Sequence, residues 1–179
     1  AAEGPRAVPG LLSGRLCTRI AAKRFALVAV LRKRGSLDRV GGPMSITQLS
    51  VFVENKPGHL ADTLATLADG RVNVLSFTIA DTIDYGILRL VVDQVERAKD
   101  LLQAAGYAVV ENPVVCALLP NEPGILATVI RMVSDSGLDI EYIYLGAQDS
   151  LILRTEQMER LEAMLIEKGF RVLGPGDLS

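Results

Sequence analysis

Two short segments of this 179-residue chain combine residue types suited to binding: Asn55-Lys56-Pro57-Gly58-His59-Leu60 and Asn121-Glu122-Pro123-Gly124-Ile125-Leu126. In each, Pro presets φ near −65° and Gly reaches backbone angles that other residues avoid. A chain that turns there and enters a helix at once exposes first-turn N–H groups with no intrahelical partner. Those groups carry partial positive charge and form a seat for a carboxylate. Gly58 and Gly124 leave room for a ligand, and Asn55 and Asn121 can bond it or cap the turn.

Other reactive residues point to no chemistry. His59, the only histidine, sits just inside a helix, with no carboxylate or nucleophile set beside it by a motif. No catalytic residue is therefore assigned. Cys17 and Cys116 make neither a disulfide framework nor a zinc site, and Cys116, in an apolar strand, reads as a small core residue. Asp81 and Asp84 read as a solvated turn, so no metal and no cofactor are expected. Tyr142 and Tyr144 share one face of a strand, either lining a pocket or packing on a helix or partner.

The elements that must position the two segments are themselves repeated. Gln94-Val95-Glu96-Arg97 recurs as Gln157-Met158-Glu159-Arg160, and Gly106-Tyr107 as Gly169-Phe170. The Pro-Gly segments are offset by 66 residues and these later pairs by 63, so the second copy lacks three residues between them. In the first copy, apolar periodicity predicts a strand over 48–54, a helix from Leu60 with Leu64 and Leu67 on one face, strands over 72–80 and 86–92, a helix over 95–105 and a strand over 107–110. The second copy predicts a strand over 114–119, a helix over 125–136, strands over 140–145 and 151–154, a helix over 157–168 and a strand over 170–173. The missing residues fall in the hairpin around 146–149. The fold class expected is α+β: two ferredoxin-like βαββαβ domains, each an antiparallel sheet with helices on one face. The copies abut at Asn112-Pro113, which favours two sheets joined or facing one another.

Charge divides the chain near Gly41-Gly42-Pro43. The first 43 residues hold nine Lys/Arg against two Asp/Glu, net +7, and the remainder is net −9. Three readings of residues 1–43 stay open: a basic arm, a targeting segment, or sequence preceding Met44 as the natural first residue. The expected domains are thus a basic segment over 1–43, one unit over 44–112 and a second over 113–179. The longest apolar run, Phe25 to Leu31, is far short of a membrane span.

The strand, the Asn55–Leu60 segment, the helix and Val72-Asn73-Val74 leading into the next strand resemble an ACT domain. Asn121–Leu126 with Leu138-Asp139-Ile140 resemble another. The likeness runs from about Ser45 to Gly174. It implies regulatory modules that sense amino acids or related metabolites, with the ligand between two units. One unit gives the loop after its first strand, and its neighbour gives the start of its second strand. Carried over, the ligand-binding residues are Asn55, Pro57, Gly58, His59, Leu60 and Asn73, with Asn121, Pro123, Gly124, Ile125, Leu126 and Asp139. An acidic Asp139 where the first copy has Asn73 implies two unequal sites.

The function expected is a non-catalytic, cytoplasmic, amino-acid-binding regulatory protein, as a homodimer. The alternative is a regulatory subunit acting mainly by contact with an amino-acid biosynthetic enzyme such as acetolactate synthase. RNA binding on the same topology needs sheet aromatics and basic charge. Residues 44–179 have no Trp and are acidic, so no nucleic acid and no membrane are expected. A ferredoxin-like enzyme or metal carrier lacks its Cys-x-x-Cys pair.

Overall fold

The computed structural model describes residues 44–81 and 85–177. The basic segment and Asp84 lie outside these bounds. The elements follow the order β1 Ile46–Glu54, α1 His59–Asp69, β2 Val74–Asp81, β3 Tyr85–Val92, α2 Val95–Ala104, β4 Ala108–Leu118, α3 Ile125–Asp135, β5 Tyr142–Leu145, β6 Ser150–Arg154, α4 Met158–Glu167 and β7 Arg171–Leu173, with a short 3₁₀ turn at Pro175–Asp177. This is βαββαβ twice over.

Asn112-Pro113, where the two copies abut, interrupts no strand. The strands expected over 107–110 and 114–119 form one continuous strand, β4, which serves both units. Its first half pairs with β1, from Phe52↔Ala108 to Ile46↔Val114. Its second half pairs with β6 and β7, from Val115↔Leu153 onward. Pro113, which cannot donate to a ladder, sits beside this change of partners, and its carbonyl accepts from Arg154 Nη1 at 2.7 Å. All seven strands join one sheet, ordered β2-β3-β1-β4-β6-β5 with β7 also on β4.

Alternation along each strand separates two faces. Leu49, Val51, Leu88 and Leu90 meet Leu67, Ala98 and Leu102 of α1 and α2 in the first unit's core. Val115, Ala117, Leu151 and Leu153 meet Val129, Val133, Leu161 and Leu165 of α3 and α4 in the second. None of the four helices among the described residues has a side-chain N-cap bond. A cap contributes ~1 kcal/mol, whereas burying one Leu contributes about 1.5–3 kcal/mol. The apolar stripes therefore hold the helices. Among the described residues no helix is long and apolar enough to cross a membrane.

The helix-free faces meet each other. Ile46, Val91, Val114, Cys116, Ile152 and Leu173 form a third buried cluster drawn from both units. Leu75 on edge strand β2 and Ile152 on β6 line the same small cavity, so the sheet folds over along β4. Cys116, 1% exposed, is the core residue expected.

Candidate functional site at the junction of two units

Both Pro-Gly loops turn as their sequence requires. Gly58 has φ 94° and Gly124 φ 91°, and each immediately precedes its helix. A Cβ at either position would meet nothing within 4 Å, so the backbone conformation selects glycine. Ile125 N–H donates to Glu122 O at 3.2 Å, and Thr128 N–H to Gly124 O at 3.0 Å. The next first-turn amides, Leu126 and Ala127, make no loop or cap backbone bond among the described residues. Along the exposed flank of α3, Gly124, Leu126, Ile130 and Arg131 line an open groove.

The expected residues divide by exposure. Asn55, Pro57, Gly58, Asn121, Pro123 and Gly124 are exposed. His59 and Leu60 are half-buried, Leu126 is exposed and Ile125 is buried in the core. Asn73 and Asp139 are exposed, each just ahead of its strand. Asn73 N–H donates to Asp93 Oδ1 at 2.9 Å, and Asp93 N–H returns a bond to Asn73 O at 3.1 Å.

Within one unit these residues do not meet. Glu54 pairs with Tyr85 at the start of β3, whereas Val74 pairs with Val92 at its end. Loop 55–60 and Asn73 thus lie at opposite ends of the sheet, roughly 20 Å apart at ~3.3 Å per residue. The second unit repeats this: Leu118 pairs with Ser150 and Tyr142 with Arg154, at opposite ends of β6.

Between units the junction differs from end to end. At one end, Leu119 N–H, on the stem of the second Pro-Gly loop, donates to Asp149 O at 2.9 Å. That same hairpin, through Ala147, Gln148 and Ser150, shares a cavity of about 40 Å³ with Leu75 and Ser76 at the start of β2. Ile46, Val91, Cys116 and Ile152 complete its largely apolar wall. This volume suits about one water, whose share of the liquid is ~30 Å³. Burial pushes the Cys116 thiol up, partly offset by its hydrogen bond with Ser150.

The junction's other region is polar. Gln48, fully buried, donates through Nε2 to Tyr142 Oη at 3.0 Å and to Ser50 Oγ at 3.2 Å. Its Oε1 accepts from the Tyr144 hydroxyl at 2.9 Å. Asn112 Nδ2 donates to Ser50 Oγ at 3.0 Å. The Arg89 guanidinium lies 4.0 Å from the centre of the Tyr142 ring. Burial, chiefly, pushes the Tyr144 hydroxyl well above its ordinary pKa. Of these residues only the two tyrosines were singled out from sequence. The signal for the others was Gln48, Ser50 and Arg89 at alternate positions of strongly apolar strands, which reads as an ordinary solvent face until a second sheet covers it.

The loops also differ electrostatically. Lys56 pairs with Glu54 at 2.6 Å, and the Lys56 hydrogen bond and charge hold the Glu54 carboxyl below its usual range. At the corresponding places the second loop carries Glu122 and Pro120. Among the described residues no group of three or more His, Cys, Asp or Glu side chains stands ready for a metal. The expectation at Asp81 and Asp84 falls outside the described side chains.

A family model described as an ACT domain pair matches residues 44–179. This chain belongs to the ACT-domain-pair family. ACT domains are regulatory modules that sense amino acids. A protein of Bacteroides thetaiotaomicron is similar to the pair: 36% identical, TM-score 0.71, covering 75% of this chain and 96% of that one. The ligand-free regulatory subunit of aspartate kinase from Thermus thermophilus is 18% identical, TM-score 0.54, over 70% of this chain and 91% of that one. The corresponding subunit from Thermus flavus is 16% identical, TM-score 0.51, over 68% and 91%. At these identities the two Thermus structures share the fold of this ACT pair. No curated protein matches the chain.

Proposed function

We propose that this ACT pair is a non-catalytic regulatory protein, acting in the cytoplasm, that binds a small amino acid or related metabolite between ACT units. The observation that carries this reading is the paired Pro-Gly helix start, Gly58 and Gly124, in an ACT domain pair spanning residues 44–179. The binding residues proposed are Asn55, Pro57, Gly58, His59, Leu60 and Asn73, with Asn121, Pro123, Gly124, Ile125, Leu126 and Asp139. First-turn amides, which have no intrahelical partner, suit a carboxylate, and Asp139 suits an ammonium group.

A homodimer is part of this reading. Edge strands β2 and β5 carry Phe77, Ile79 and Leu145, which are 54%, 46% and 64% exposed, and open apolar edges seek partners. The second reading is a regulatory subunit that works mainly by contact with an amino-acid biosynthetic enzyme. The exposed edges favour it equally, and co-purification of an enzyme would decide for it. Calorimetric titration of Gly58→Val and Gly124→Val tests the site, because a branched side chain at positive φ distorts the loop. Loss of amino-acid binding in at least one variant is expected. Unchanged binding in both would move the ligand elsewhere.

A further inference from the structure

Among the described residues, one cation in the junction, Arg89, has no partner that matches its charge. Arg89 Nε is buried and makes no hydrogen bond. Its guanidinium lies over the Tyr142 ring, 4.0 Å from the ring centre. It forms none of the ion pairs seen among those residues. Leaving a guanidinium donor unpaired in a desolvated place is costly.

Its neighbours are donors too. Thr78, Arg89, Ser50 and Val110 lie in one row across β2, β3, β1 and β4, on the helix-free face. Ser50 Oγ already accepts twice, from Gln48 and Asn112, which leaves its own O–H to donate. Tyr142 Oη accepts from Gln48, with the same consequence. Three donors thus gather with no carboxylate of the described residues bonded to any of them.

The row marks a border. Toward Gln48 and Ile46 the face is covered by the second unit. Val110, in the row itself, is 49% exposed, and in the next row outward Phe52, beside Ile87, is 42% exposed. We propose that Arg89, with Ser50 and Tyr142, is a binding site for the carboxylate of a small monocarboxylate whose apolar body lies on Phe52, Ile87 and Val110. A planar fork of N–H groups matches a carboxylate in two-point contact. This site lies on the β3 face and stands whether or not the Pro-Gly loops bind.

The test is an NMR titration of the full chain carrying ¹⁵N-labelled arginine. The probes are leucine, 3-methylbutanoate and, as the control without a carboxylate, 3-methylbutylamine. The expected result is a saturable shift of the Arg89 Nε–H signal with both carboxylates and none with the amine. Affinity should fall by about tenfold or more in Arg89→Lys, which keeps the charge but loses the fork, and vanish in Arg89→Gln. No saturable shift with either carboxylate overturns the proposal, and so does undiminished affinity in both variants. If neither carboxylate shifts the Arg89 signal while an amino acid still stabilises Arg89→Gln as strongly as the parent chain, this site fails and the sensing reading stands. Sedimentation separates the other source of a carboxylate. If Arg89→Gln abolishes self-association while no small carboxylate binds, a second copy supplies the group and the proposal fails.

Discussion

The Tyr144 hydroxyl donates to Gln48 Oε1 at 2.9 Å, joining residues 96 apart in sequence and in different ACT units. Gln48 is wholly buried, so this bond cannot be exchanged for water without opening the junction. A buried amide is an odd choice for packing alone. It is well suited to fixing which part of one sheet lies on the other, since misalignment leaves it unpaired.

Tyr144→Phe should therefore cost about 1–3 kcal/mol, the penalty for orphaning a buried acceptor. In a double-mutant cycle with Gln48→Leu, the second change should cost less than it does alone. Urea unfolding measures both. An unchanged midpoint for Tyr144→Phe would show that the bond does not hold the units together.

Alkaline stability follows from the same residue. Burial raises the Tyr144 pKa above its ordinary value of 10.0, so the folded chain holds this proton more tightly than the unfolded one. The resulting stability is fully present below about pH 10 and is lost as pH rises toward the folded value. Cys116, raised from 9.0 by burial, acts in the same direction from a lower pH. Urea midpoints between pH 8 and 11 should fall, and fall less steeply in Tyr144→Phe. Identical slopes would contradict this.

The Cys116 thiol should resist alkylation in the folded chain, because it is both buried and held as the thiol. Iodoacetamide at pH 8, with labelled peptides resolved by mass spectrometry to separate Cys17, should modify Cys116 only on adding denaturant. Rapid labelling without denaturant would mean that the junction opens readily.

Gly124→Ala should cost about 1 kcal/mol through backbone strain alone, since space for a Cβ is present. Gly124→Asn should cost less, because Asn tolerates the left-handed region. Equal losses would point to a cause other than φ.

Much of this architecture was legible before any coordinates. The leucines of α1 and the Pro-Gly helix starts repeat at fixed offsets, and local periodicity suffices to place them. The continuity of β4 was not legible. Asn112-Pro113 is a turn signal by local rules, and only pairing with β1 on one side of it and β6 on the other carries the strand through. The polar junction was hidden for a similar reason. Gln48, Ser50 and Arg89 alternate with core residues as any solvent-facing residues do, and only the fold-over of the sheet buries them. The unequal copies, by contrast, were visible in Asn73 against Asp139. The structure adds a difference between the two ends of their shared junction, apolar around Cys116 and polar around Gln48.

The central claim is that this ACT pair senses an amino acid, and thermal melting tests it most directly. The chain would be melted with each proteinogenic amino acid at millimolar concentration. At least one is expected to raise the melting temperature saturably. At ~100-fold its dissociation constant the gain should reach roughly 2.7 kcal/mol. No shift with any amino acid or close metabolite would contradict the account.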